Sequence, residues 1–264
     1  MSAGPASTAW SGRAEAYAAS DVHVRGASLA RLLEVAEPRP GERAVDLGCG
    51  AGPTGAALAE AGCEVVAVDL DPAMLAAATS RCPALVPRRA DAAETGLPAG
   101  AFDLVSARHT LHHHDDPDAT LREARRLLRP GGRVVLVDES ALPAELNGWY
   151  ERLERTRDPD HRGLRDGAGW DGALRAAGFE NVAIEPLVRE RIDVGAWLDR
   201  VAATETRRHE VRRLLRDAPA GADDALRIER DAGGDAHAFA MPMVVASGHA
   251  PRPTDPDAHD QEEP

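Results

Sequence analysis

Short unbroken apolar runs alternate with segments of helical spacing through the middle of the chain. Arg43–Leu47 reads as a short buried strand, followed by 64–68, a weaker run at 85–88, then 102–106 and 133–138. Between them, 54–60, Pro72–Arg81 and 120–128 repeat apolar residues with helical periodicity. Strands alternating with helices of this length make parallel βαβ units with helices on both faces of a sheet. Pro53 suits the first turn of its helix, where no N–H is needed. Pro130-Gly131-Gly132 reads as the stop that ends a helix before the fifth strand.

Residues 139–167 interrupt the alternation with a polar, Arg- and Asp-rich helical segment. A helix at 170–177, closed by Gly178, and an apolar stretch at 182–188 resume it. A helical region at 194–216 then precedes a hairpin with arms at 226–230 and 238–246, turning at Gly233-Gly234. The pattern therefore predicts a parallel sheet ending in an antiparallel hairpin. Residues 1–248 are expected to form one domain, and 249–264, rich in Pro, Asp and Glu with no apolar period, a disordered tail.

Composition narrows the class. A chain of 264 residues fits one large domain, and a hydrophobic content of 43% supports a real core. Aromatics are only 3%, so that core has to be mostly Ala, Val and Leu. A net charge of −13 argues against nucleic acid as a partner, since phosphate binding needs a positive surface. All 31 Lys+Arg positions are Arg, which reads as a composition bias. No apolar run approaches the roughly 18–20 residues of a membrane span, and residues 1–10 lack the pattern of a signal peptide. Cys49, Cys63 and Cys82 have neither metal-ligand nor redox spacing, which suits a cytoplasmic protein.

The informative stretch is Val45-Asp46-Leu47-Gly48-Cys49-Gly50-Ala51-Gly52-Pro53, alternate glycines between a strand and a helix. Side chains there would block close backbone approach to a ligand, and the turn needs unusual φ angles. Asp46, at the buried end of a strand, needs a cationic or hydrogen-bonding partner. Gly50-Ala51-Gly52-Pro53-Thr54-Gly55 also fits the dinucleotide pattern GxGxxG, with Asp69 near the distance of its ribose-binding acid. Two acids favour a different nucleoside. Asp46 stands where a dinucleotide fold wants an apolar strand end, and Asp91 follows the third strand, where that fold has no standard need of one. Adenosine carrying a methionine arm would use both.

Asp46-x-Gly48-x-Gly50-x-Gly52, the run from Val65 to Leu75 containing Asp69, and Arg89-Ala90-Asp91-Ala92 resemble the cofactor motifs of class I S-adenosylmethionine-dependent methyltransferases. Phe102-Asp103-Leu104-Val105-Ser106 and Leu128-Arg129-Pro130-Gly131-Gly132-Arg133 resemble the fourth strand and the lead into the fifth. Tyr17-x-x-Ser20-x-x-His23-x-x-Gly26, the run from Arg108 to His113 and the run from Leu153 to His161 are similar to the ubiquinone/menaquinone-biosynthesis-like, type 11 branch. That similarity runs from about residue 10 to 247, and Asp160 stands where the branch usually has Ser. The resemblance implies a Rossmann-like, doubly wound α/β fold: a mostly parallel seven-stranded sheet, an antiparallel C-terminal hairpin and a helical lid from 1–30 and 139–167.

It also implies roles. Asp69 is expected on the ribose hydroxyls, Leu70 beside adenine and Asp91, with Ala92, at the adenine amine. Gly48 and Gly50 are expected along the methionine arm, Asp46 orienting it indirectly, and the Arg108 backbone beside the methyl donor. His109, His112, His113 and His114 are candidates for substrate chemistry, because imidazole removes protons near neutral pH. By resemblance His113, then His112, is the general-base candidate; no separate ligand set accompanies them, so no metal is expected. Tyr17, His23, Arg157 and His161 are expected in the lid or substrate pocket, against the alternative that Arg157 simply pairs with Glu154 at helical spacing. The expected activity is methyl transfer to a small molecule, at oxygen or carbon before nitrogen, by a monomer or homodimer without membrane attachment. The alternative is a protein that binds S-adenosylmethionine for a non-methylating reaction or for a partner.

Overall fold

A computed structural model describes residues 11–253. Three short helices, α1 (Ala14–Ala18), α2 (Asp21–Arg25) and α3 (Ala27–Ala36), lead into β1 (Arg43–Leu47). There follow α4 (Pro53–Glu60), β2 (Glu64–Asp69), α5 (Pro72–Arg81), β3 (Val86–Arg89), β4 (Phe102–Arg108), α6 (Pro117–Leu127) and β5 (Leu128–Glu139). The second half holds α7 (Ala144–Arg157), α8 (Gly167–Ala176), β6 (Glu180–Ile184), β7 (Val188–Asp193), α9 (Val194–Arg200), α10 (Glu205–Arg216), α11 (Ala222–Leu226), β8 (Glu229–Arg230) and β9 (Ala236–His249).

Among the described residues the sheet has nine strands where seven were expected: seven run β3-β2-β1-β4-β5-β9-β6, and β7 and β8 also pair with β9. The pairs from β3 to β5 are parallel, and every pair made by β9 is antiparallel. This is a doubly wound sheet whose strand order reverses between β1 and β4. A ligand binds such a sheet beyond the strands' carboxyl ends, at that reversal.

Alternation along the strands divides the core into two layers. Ala44, Leu104, Val135 and Val137 pack on one face against Leu32, Leu58, Leu75, Leu146, Tyr150 and Trp197. Val45, Leu47, Val105, Val134 and Leu136 pack on the other against Leu121, Leu127, Trp170 and Leu174 from α6 and α8. The aliphatic core expected from the composition is therefore present, with its few aromatics deeply buried.

Five local readings change. Pro130-Gly131-Gly132 does not stop the helix: α6 ends at Leu127, and Leu128 is already extended and paired with Phe102. The glycines lie within β5, where Gly131 takes a φ of 78° and its N–H donates to the Ala250 carbonyl. The apolar stretch at 182–188 is divided between β6 and β7, which pair with different halves of β9. The helical region at 194–216 breaks after α9, where Ala202 has a left-handed φ of 49°. Glu229–Arg230 and β9 make the hairpin, but Leu226 belongs to α11. The tail boundary at 249 falls inside ordered structure, because His249 pairs with Arg133 and Ala250 is buried; residues 254–264 lie outside those described.

Candidate functional site

A cavity of about 730 Å³ opens at the carboxyl ends of β1, β2, β3 and β4. Its first wall is the glycine loop after β1. Gly48, Gly50 and Gly52 all have positive φ, at 63°, 52° and 76°. A Cβ on Gly48 would strike the Thr110 side chain at 2.1 Å, whereas one on Gly50 would meet no protein atom within 4 Å. Gly50 thus leaves backbone open toward the cavity, as a bound nucleoside or amino-acid arm requires.

Two acids set the loop. Asp69, at the end of β2, accepts the Gly50 N–H at 2.8 Å and the Asp71 N–H at 2.9 Å. Burial raises its pKa, against those backbone hydrogen bonds. Buried Asp46 accepts the Ser106 hydroxyl at 2.8 Å and the Gly55 N–H at 3.0 Å, which answers how its charge is met. Burial still pushes it up to about 6. Leu70 is 50% exposed on the cavity, an apolar shelf next to Asp69. Asp91 also lines the cavity and is held by the Ala93 N–H at 2.8 Å, while Ala92 is buried beside it.

The opposite end carries histidines. Tyr17, His23, His109, His113 and His114 line it, with the Tyr17 and His23 rings 5.0 Å apart and His23 and His109 4.9 Å apart. Burial lowers the pKa of His23, His109 and His113 well below the ordinary value, and neighbouring charge adds to this. His113 Nδ1 is 3.3 Å from the Asp160 carbonyl oxygen, which can only accept; the hydrogen therefore sits on Nδ1 and the lone pair on Nε2. His109 has a φ of 54°, in the left-handed region that few non-glycine residues adopt. Arg108 lines the cavity, but its side chain is buried and donates to Thr54 Oγ1 at 3.1 Å, Ser28 Oγ at 3.0 Å and the His23 carbonyl. It braces α2 and α3 over the site, and burial lowers its pKa to about 10.

Three expected residues stand behind the cavity wall. His112 does not line the cavity. Its Nδ1 hydrogen-bonds Asp138 Oδ1, and its N–H donates to Asp138 Oδ2 at 3.0 Å. Burial opposes protonation, but the Asp138 carboxylate outweighs it and raises the His112 pKa. Arg157 is also off the cavity: its guanidinium lies 4.7 Å over the Trp197 ring and pairs with Glu154 at 3.3 Å. His161 is buried with its ring 5.3 Å from that of His112, and burial drops its pKa to about 3.

The N-terminal helices and the loop after α7 meet through Arg13, whose Nη1 is 3.2 Å from buried Asp158 and 3.9 Å from Asp160. Sequence reasoning missed Thr110, Asp138, Asp160 and Arg162. Arg162 lines the cavity, and its N–H donates to the His112 carbonyl at 2.8 Å. Only Asp160 carried a signal, its departure from the Ser usual in the branch.

Residues 45–136 match the family model described as a methyltransferase domain. The chain is 26% identical over 250 residues to YcgJ, an uncharacterized methyltransferase of Bacillus subtilis, covering 91% of this chain and 97% of that one. The YcgJ crystal structure superposes with a TM-score of 0.79 at 25% identity, over 85% of this chain and 98% of that one. A demethylmenaquinone methyltransferase of Beutenbergia cavernae is 37% identical over 122 residues, covering 45% of this chain and 51% of that one. The 27-O-demethylrifamycin SV methyltransferase of Amycolatopsis mediterranei is 33% identical over 135 residues, 48% of this chain and 49% of that one. Domain match, strand order and glycine loop agree, and together they support a class I S-adenosylmethionine-dependent methyltransferase of the type 11 branch.

Proposed function

We propose that the chain methylates a small-molecule acceptor, at oxygen or carbon before nitrogen, in a cytoplasmic biosynthetic reaction. The observation that carries this reading is continuity: the glycine loop, the Leu70 shelf and the histidine end line one cavity. Its volume, about 730 Å³, is that of a small-molecule site. When bound, S-adenosylmethionine supplies an electrophilic methyl group. Asp69 would accept from the ribose hydroxyls, Leu70 pack on adenine, Asp91 and Ala92 meet the adenine edge, and Gly48 and Gly50 admit the amino-acid arm.

The chain's remaining task is alignment and water exclusion. Tyr17, His23 and His113 line the cavity, and His113, its Nδ1 directed at the Asp160 carbonyl, would be the proton acceptor. An imidazole base can take the proton from an acidic hydroxyl or an enolisable carbon as it attacks the methyl group. Arg157 and His161 support this wall from behind, and His112 is a positioning residue next to His113. Among the described residues no helix is long and apolar enough to cross a membrane, and all three cysteines are free, as suits a reducing compartment.

The test is incubation with methyl-labelled S-adenosylmethionine and a metabolite extract. Label should enter the low-molecular-weight fraction, and His113→Ala should cut that transfer without matching loss of S-adenosylhomocysteine affinity. Label confined to protein or nucleic acid would overturn the acceptor class. Cofactor binding with no label transfer would favour a non-methylating reaction.

A further inference from the structure

Glu139 ends β5, Glu154 lies in the last turns of α7, and His161 follows in the next loop. The fold brings one ligand atom from each within 4.8 Å of the others. All three are buried, at 3%, 0% and 3% exposure. Burying two carboxylates side by side is unfavourable unless cations or hydrogen bonds meet them. Their outer atoms are met: the Tyr150 hydroxyl donates to Glu139 Oε1, and Arg157 reaches Glu154 Oε2 at 3.3 Å. The inner oxygens face each other, Glu139 and Glu154 being close enough for a side-chain hydrogen bond that needs one proton between them. Glu154 Oε1 and both ring nitrogens of His161 have no hydrogen-bond partner in the structure. Buried polar atoms are ordinarily paired, so a His161 ring without a partner beside these two carboxylates indicates a missing occupant.

We propose that Glu139, Glu154 and His161 form a binding site for one divalent first-row transition-metal ion. Two carboxylate oxygens and one imidazole nitrogen balance a doubly positive ion, and the imidazole selects zinc-like ions over magnesium and calcium, which prefer oxygen throughout. Ordered water, with one proton shared between the two carboxylates, is the competing arrangement. The ion would join the end of β5, α7 and the following loop. That loop supplies the Asp160 carbonyl to His113 and the Arg162 N–H to the His112 carbonyl, so the site would fix the rear wall of the cavity. The spacing of the three residues along the chain matches no ligand motif, and only the fold assembles them. The inference stands whether or not the acceptor reading does.

The test uses the full chain stripped with a chelator, with zinc and cobalt(II) as probes and magnesium as control. Calorimetry should give one zinc per chain, and one equivalent of cobalt should develop visible absorption. Zinc should raise the melting temperature, because binding only the native state stabilises it, and magnesium should not. Glu154→Gln and His161→Ala, each checked as folded by circular dichroism, should weaken zinc binding at least about tenfold, the loss that even a residue behind the ligands brings. Exposed His237→Ala should change nothing. Absence of a stoichiometric zinc site in the wild type, or zinc binding undiminished in both folded variants, would overturn the proposal and leave water as the occupant.

Discussion

Asp69 reaches from the end of β2 to accept the Gly50 N–H at 2.8 Å, so an acid assigned to the cofactor also fixes the loop that faces it. The proposed ribose contact and the observed loop brace share one carboxylate. Asp69→Ala removes both the expected ribose acceptor and the brace on the loop. Affinity for S-adenosylhomocysteine should fall by about 1.5–3 kcal/mol, the range for hydrogen bonds to a charged group. Titration calorimetry on the variant checks this, and an unchanged dissociation constant removes Asp69 from the site.

Gly48 and Gly50 should separate packing from binding. Gly48→Ala drives a Cβ into Thr110 at 2.1 Å and keeps an unfavourable φ, so the protein should lose stability markedly. Gly50→Ala meets no protein atom within 4 Å and should lose only about 1–2 kcal/mol from its left-handed φ. Its larger defect should be in cofactor affinity. Thermal melts and titrations of both variants read the difference; equal stability losses would contradict it.

Asp46 predicts a pH signature. Burial raises it to about 6, Asp69 adds to this, and Ser106, Arg108 and the Gly55 N–H oppose it. An unfolded Asp titrates near ~3.9, so the folded state holds this proton more tightly. Its stabilising contribution is complete below about pH 4 and is lost as pH rises through 6. Asp46→Asn should therefore gain on the wild type by up to about 2–3 kcal/mol near neutral pH and show little gain near pH 4. Denaturant melts across that range measure the gap, and a gap independent of pH would refute the assignment.

The Arg13–Asp158 pair tests the covering layer. Asp158 is fully buried, so Arg13→Ala strands a charge and should destabilise by about 3–5 kcal/mol. Adding Asp158→Asn should restore part of that loss. A single variant as stable as the wild type would show that the two segments are not tied together by this contact.

The glycine-loop part of the cavity was legible because it depends on local chemistry. Glycines at forced φ angles, a strand-end Asp46 and an Asp69 one βα unit later all leave marks at short range. The histidine end was legible only as a cluster. Which side chain faces the cavity depends on Asp138, a strand away, which turns His112 aside and leaves His113 on the wall. Arg157 illustrates the same limit: its spacing from Glu154 foretold the ion pair, but its place against Trp197 comes from α9. The division of 182–188 was invisible because both halves pair with β9, whose length no local pattern marks.

The most direct test of the cavity assignment is titration calorimetry of the wild-type chain with S-adenosylhomocysteine and, separately, with NAD. One S-adenosylhomocysteine should bind per chain and raise the melting temperature, while NAD gives no saturable heat. NAD binding without S-adenosylhomocysteine binding would contradict the account.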